Sequence, residues 1–245
     1  MIRSLEELSL NALPALQTIF YDGWVLRFAG DYSNRANSVQ PLYASTLDLD
    51  EKIACCEAVY AKRGKKAVFM LTNAAQPPAL EAALVRCGYT ASRRTGMQTL
   101  ALAGQTFEAE GAGVEIEDAV SQSWLDDYHH LTNVEARHLP TIRRMLDNLT
   151  PQAGFFRLKL NGAAAAIGLG VLENGWIGLY DIATEPSQRN RGLGTQVVSH
   201  ILEWGQANGA RSAYLQVMLN NAPALHLYGK LGFREVYQYW YMQKV

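Results

Sequence analysis

Apolar positions recur at helical spacing from Ser4 to about Ile19, where Leu5, Leu8, Leu13 and Leu16 form a stripe interrupted by Pro14. This predicts a first helix. Two β-type runs follow, Gly23 to Gly30 (GWVLRFAG) and Ala36 to Ala44 (ANSVQPLYA), with the polar string from Asp31 to Arg35 turning the chain between them. Asp48 and Asp50 open a second helix that runs to about Lys62, since carboxylates suit the electropositive start of a helix. KAVFMLTN then reads as a buried strand, PPALEAALVRCG as a helix started by proline, and about Thr95 to Ala103 as a further strand. The segment AGQTFEAEGAGVE holds few apolar side chains and three glycines, which predicts a linker centred on residues 105–112.

Beyond the linker, helices are expected near 119–131 and 137–149, followed by the strands GFFRLKLNG, AAAAIGLGVLENG and WIGLYDIAT. The Asn161-Gly162 pair between the first two of these strands signals a tight hairpin, because both residues tolerate positive φ. A long helix from Leu193 to about Asn208, the strand SAYLQVML, a helix from about Ala222 to Leu231 and the strand EVYQYWYMQKV complete the order. This order predicts an α+β fold with a mixed, mostly antiparallel sheet and one parallel crossover through the long helix. The halves also rhyme: KAVFMLTN…PPALEAALVRCGY matches SAYLQVMLN…APALHLYGKLGF at a shift of 144 to 146 residues. Two tandem copies of one fold are expected, residues 1–104 and 113–245.

Composition narrows the function classes. The formal charge of -1 and the scattered Lys and Arg residues provide no footprint for a polyanion, so nucleic acid is not an expected partner. Cys55, Cys56 and Cys87 fit neither a disulfide framework nor a metal pattern, and no metal is expected. The N-terminus has no apolar signal core, and no apolar run approaches the ~20 residues that cross a bilayer. A cytoplasmic protein that does not enter membranes is expected, and a homodimer is left open.

The sharpest chemical feature is DIATEPSQRNRGLGT, in which a strand ends at Thr184 and R-x-x-G-x-G (Arg189, Gly192, Gly194) opens the long helix. A helix N-terminus offers about four unpaired N–H groups and about half a positive charge, enough to bind a pyrophosphate. Glycines let the backbone approach, Arg189 and Arg191 add charge-assisted bonds, and Thr195 adds a hydroxyl. A dinucleotide fingerprint would need an acidic residue at the end of the next strand, where Gln216 stands instead, and a Walker-type loop would need Gly-Lys-Ser/Thr.

This loop, followed one strand later by Asn221, Ala224, Tyr228 and Gly232-Phe233, resembles the GCN5-related N-acetyltransferase (GNAT) superfamily, and the resemblance covers Gly113 to Val245. It implies a V-shaped splay between two central parallel strands, here those ending near Thr184 and Val217, with acetyl-CoA lying in the splay. It further implies that the pantetheine arm pairs with the backbone of Ile182, Ala183 and Thr184, and that the pyrophosphate sits on the amides of Arg189, Asn190, Arg191, Gly192, Leu193, Gly194 and Thr195. Asn221 would hydrogen-bond the pantetheine, although a helix N-cap reads identically in sequence.

The implied reaction moves an acetyl group from acetyl-CoA directly to a primary amine, borne by a small molecule or a peptide, within a ternary complex. By the same resemblance Tyr228 protonates the leaving sulfur, its phenol staying protonated at neutral pH, with a packing role as the plain alternative. The oxyanion would meet a backbone N–H at the splay, that of Ala183. In several members a glutamate on the first splayed strand acts as base, but here Gly178 stands near that place and Asp181 is the stretch's only carboxylate. Asp126, Asp127, Glu135, His129, His130 and His138 lie in the stretch that would build the acceptor site, or else form an ordinary solvated face.

The first half loses the loop. Where the second half has SQRNRGLG, the first has STLDLDEK, whose carboxylates repel a pyrophosphate, and Leu84 or Ala83 stands where Tyr228 does. Residues 1–104 therefore read as a degenerate, non-catalytic half that shapes the acceptor pocket. An acetyl-CoA-binding sensor or scaffold that transfers nothing is the alternative reading of the whole chain.

Overall fold

The computed structural model describes residues 1–92, 94–107 and 113–244, and divides the chain into two compact units. Unit 1 comprises Met1–Gly96, Met218–Asn220 and Tyr237–Val245, and unit 2 comprises Met97–Val217 and Asn221–Val236. Each unit thus takes a strand that the division at residues 104 and 113 assigns to the other half. Of the linker expected at 105–112, residues 108–112 lie outside the described residues.

Unit 1 begins with α1 (Ile2–Ala12), β1 (Gln17–Tyr21) and β2 (Trp24–Phe28). The first helix stops seven residues short of Ile19, at Ala12, because Pro14 cannot continue it, and QTIFY, rich in β-branched and aromatic residues, becomes an exposed strand. A short 3-10 turn at Asn34–Ala36 leads into β3, which is only Val39–Gln40, since the following Pro41 has no N–H to donate. The helix α2 (Leu49–Ala61) is capped by Asp48, and β4 (Val68–Thr72), α3 (Leu80–Arg86) and β5 (Thr90–Ala91) follow. Here β1, β2 and β3 pair antiparallel, and β3 pairs parallel with β4 across α2. The C-terminal part of β12 (Arg234–Gln243) then adds antiparallel to β4, Tyr239 opposite Thr72. Alternate residues Trp24, Leu26 and Phe28 face Ile53, Cys56 and Tyr60 of α2 and Leu80 and Leu84 of α3, forming one core.

Unit 2 takes most of β6 (Thr95–Ala101), then β7 (Val114–Glu117), α4 (Gln122–Thr132), α5 (Leu139–Asp147), β8 (Gln152–Leu160), β9 (Ala163–Glu173) and β10 (Trp176–Thr184). Next come α6 (Leu193–Ala207), β11 (Ser212–Met218) and α7 (Ala222–Lys230). Strands β7 to β10 form an antiparallel ladder, and β10 pairs parallel with β11 across α6. The Asn161-Gly162 hairpin forms as expected, both residues at positive φ. Ile177 and Leu179 of β10 pack with Val197, Val198, Ile201 and Leu202 of α6.

The same order, two antiparallel pairings and then a parallel one across a helix, occurs as β1-β2-β3-α2-β4 and as β8-β9-β10-α6-β11. The repeat read from the sequence is therefore a repeat of topology. The fold is α+β with a mostly antiparallel sheet and parallel pairs, as expected.

Candidate functional site

The shared register of β10 and β11 runs from Trp176↔Ser212 to Leu179↔Leu215 and ends there, although β10 continues to Thr184 and β11 to Met218. The two parallel strands therefore diverge. On its other edge β10 carries a bulge between Tyr180 and Ala183, centred on Asp181 at φ +51°, before Ala183 and Thr184 pair again with Ile167 and Ala166. Ile182, Ala183 and Thr184 thus lie half-buried on the diverging arm of β10.

That arm leads through a 3-10 turn, Pro186–Gln188, into the loop Arg189, Asn190 and Arg191, all exposed. Asn190 at φ +62° and Gly192 at φ +80° reverse the chain into α6. A Cβ on Gly192 would meet nothing within 4 Å, so the space in front of this helix end is open. No side chain caps α6, whereas Asp48, Ser121 and Asn221 cap α2, α4 and α7. Among the described residues the start of α6, around Leu193, Gly194 and Thr195, has no side-chain cap, and the helix field favours an anion there. Gly194 sits close to the diverging strand: a Cβ on it would lie 3.4 Å from Thr184 Oγ1 and 3.3 Å from Leu227 Cδ1. Arg191 bonds Gln188 and lines a cavity of about 330 Å³ with Asn161, Ala163 and Glu185.

Tyr228, on α7, is 8% exposed and packs edge-on against Phe233, with ring centroids 5.8 Å apart. Burial pushes its phenol up to about 12, and among the described residues no hydrogen bond to the hydroxyl contributes to that shift. Asn221 proves to be the N-cap of α7, its Oδ1 accepting the Ala224 N–H at 3.3 Å, which leaves its amide NH₂ as the group that can reach a ligand.

Gly178 stands directly opposite Tyr214 in the β10–β11 register. A Cβ there would come within 2.6 Å of Tyr214 Cζ and Oη and 2.7 Å of Tyr180 Cε2, so a side chain requires those rings to shift. The Tyr180 and Tyr214 hydroxyls lie 2.9 Å apart, both side chains buried. This phenol pair was not anticipated, because the bond joins residues 34 apart through a strand register that periodicity does not disclose.

The acceptor candidates on and after α4 are mostly engaged within the protein. Asp127 binds the buried Arg157 at 3.2 Å alongside Glu115 and Glu117. Asp126 accepts from Gln122 at 2.8 Å, Glu135 pairs with Arg137 at 2.9 Å, and His129 Nδ1 lies 2.7 Å from the Val134 carbonyl. His130 Nε2 lies 3.1 Å from Glu185 Oε2, just before the loop that opens α6, and His138 stands at the head of α5. Among the described residues no His, Cys, Asp and Glu group is arranged to hold a metal, and no helix is long and apolar enough to cross a membrane.

A family model described as the C-terminal region of the probable histone acetyltransferase Rv0428c matches residues 1–242. The chain belongs to this family. Its relatives include an uncharacterized N-acetyltransferase, YobR of Bacillus subtilis, 28% identical over 99% of this chain and 98% of YobR. The ribosomal protein bS18-alanine N-acetyltransferase of Escherichia coli is 32% identical over 33% of this chain and 54% of its own length. Among solved structures, a GCN5-related N-acetyltransferase from Kribbella flavida superposes with a TM-score of 0.70 over 99% of this chain and 94% of its own, at 16% identity. The chain is an N-acetyltransferase of the GNAT superfamily, and it carries the GNAT fold.

Proposed function

We propose that this acetyltransferase moves an acetyl group from acetyl-CoA directly to a primary amine of low pKa, within a ternary complex formed by unit 2. The observation that carries the reading is the uncapped start of α6, opened by Gly192 at positive φ and reached from the diverging arm of β10. Acetyl-CoA, when bound, supplies a thioester carbonyl that needs no protein nucleophile. Amides from Arg189 to Thr195, with the Arg189 and Arg191 guanidiniums, hold the pyrophosphate. The backbone of Ile182, Ala183 and Thr184 aligns the pantetheine, Asn221 adds its amide, and the Ala183 N–H stabilises negative charge on the carbonyl oxygen. Tyr228 donates a proton to the leaving sulfur; a phenol near 12 keeps that proton throughout the neutral range.

The acceptor class follows from what β10 lacks. A side chain at Gly178 would displace the Tyr214 and Tyr180 rings, and this rung carries no carboxylate base, so the amine reaches its neutral form with little help from it. At pH ~7, deprotonating a lysine-type amine of pKa ~10.4 costs roughly 4 to 5 kcal/mol, against about 1 kcal/mol for an α-amino group near 8. Water suffices for the second. The relative from Escherichia coli is named for an alanine, whose one amine is its α-amino group. The absent base also favours one competing reading, a sensor or scaffold that binds acetyl-CoA without turnover.

Free-thiol release over a library of amines, read beside thermal protection by acetyl-CoA, separates the two. Turnover with α-amino acceptors, lowered about 10²-fold by Tyr228→Phe with affinity altered only a few-fold, is the expected result; the weak acidity of this phenol sets the low end of the usual range. Thermal protection without thiol release from any amine would establish the sensor.

A further inference from the structure

At the β1–β2 turn Asp22 adopts φ +43°, and its carboxylate gathers an unusual set of donors from the segment between β3 and α2. The Thr46 N–H lies 2.9 Å from Oδ2 and 3.1 Å from Oδ1, the Leu47 N–H 3.0 Å from Oδ2, and the Ser45 and Thr46 hydroxyls 2.8 Å from Oδ2 and Oδ1. Lys52 completes the set. Its side chain is fully buried, and its ammonium donates to Asp22 Oδ2 at 3.0 Å and to Ser45 Oγ at 2.6 Å while lying 3.9 Å from the centre of the Trp24 ring.

Two amides, two hydroxyls and one ammonium converging on a pair of oxygens make an oxyanion cradle, the donor set that holds phosphates elsewhere. Its chain position is telling. The β3–α2 segment is the counterpart, in the repeated topology, of the β10–α6 segment that carries the cofactor loop. Asp48 separately occupies the Asp50 and Glu51 amides at the start of α2 itself. These bonds hold the Asp22 carboxyl well below the usual carboxylate range, the Leu47 amide contributing most, while burial pulls Lys52 down from its ordinary value.

We propose that Asp22 is a built-in anion that fills an oxyanion cradle in unit 1, closing the counterpart of the cofactor loop, and that the cradle accepts a phosphate-class oxyanion once the carboxylate is removed. A buried ammonium without its counter-ion is strongly disfavoured, so the emptied site has a reason to recruit one. Asp22→Gly empties it with least backbone strain, because glycine accepts positive φ.

The variant is made in a Gly192→Val background, so that the α6 loop does not take up the same ion, and melted in inorganic phosphate or in chloride at equal ionic strength. The double variant should melt about 5 °C higher in saturating phosphate than in chloride, with Gly192→Val alone unmoved, and adding Lys52→Met should abolish the difference. Equal midpoints in both salts would overturn the proposal, as would an equal rise in the single variant. If the double variant does not fold in chloride, refolding in phosphate reads the same question: recovery of the native circular dichroism supports the cradle, and failure in both salts refutes it. None of these readouts depends on acetyl transfer.

Discussion

Glu6 on α1 is fully buried in unit 1, and replacing it with glutamine should reverse part of the protein's pH dependence. Its Oε1 accepts the Tyr237 hydroxyl at 2.6 Å, while Oε2 has no hydrogen-bond partner among the described residues. Arg27 and Arg35 lie near enough to favour the charged form, and Tyr239 and Tyr241 line the same polar interior, but burial outweighs them and raises the carboxyl from 4.5 to about 7. Between those values the folded state holds a proton that the unfolded chain releases. Stability therefore falls as pH rises from about 4.5 to about 7 and levels off above. A shift from 4.5 to about 7 corresponds to about 3 kcal/mol, a large part of a typical domain's stability. Glu6→Gln cannot ionise, so it escapes this loss, although its buried NH₂ carries a pH-independent cost of about 1 to 3 kcal/mol. Urea titrations of both proteins at pH 5, 6, 7 and 8 measure the difference directly. The variant should gain about 2.5 kcal/mol relative to the wild type between pH 5 and pH 8, whatever its constant offset. Parallel stability curves would refute the assignment of a buried, neutral Glu6.

Gly192→Val should abolish acetyl-CoA binding while the fold survives, because valine is strained at φ +80° and would crowd the open space before α6; calorimetry giving an unchanged dissociation constant would remove the pyrophosphate from that loop. Titration of the wild type should find one acetyl-CoA per chain, since Asp22 and Asp48 already occupy the donors of the corresponding segment in unit 1, and a stoichiometry of two would contradict that reading.

The glycine turn that opens α6 was legible because its signal is local: the glycines, the arginines and the start of the helix lie within seven residues, Arg189 to Thr195. The Asn161-Gly162 turn was legible for the same reason. The errors in local structure came from competing local signals. Leucine spacing carried the first helix past Pro14 into QTIFY, whose β-branched and aromatic residues prefer a strand. Glycine content hid β7, although Val114 and Ile116 alternate with Glu115 and Glu117 as an edge strand requires. What no periodicity discloses is pairing at a distance. Asp127 reads as an acceptor ligand or a solvated residue until the structure sets it against Arg157, thirty residues on, and nothing local singles out Asp22, whose carboxylate meets Thr46 and Leu47. The exchange that gives Tyr237–Val245 to unit 1 is equally silent, since a strand's sequence does not name its neighbour.

Gly178 connects these levels. In sequence it is only a missing glutamate, an omission that a single substitution might be thought to repair. In the structure it is one side of a rung whose other side is Tyr214, and the ring of that tyrosine occupies the volume a side chain would need, held there by the hydroxyl contact with Tyr180. Restoring a carboxylate would require both rings to move one rung before the shared register of β10 and β11 ends, and rings packed in an interior do not move without disturbing their neighbours. The lack of a base on this rung is therefore a property of the packing around the splay. Under the proposed reaction the burden of deprotonation would then pass to the acceptor, and the packing around one tyrosine ring would bear on the class of amine used.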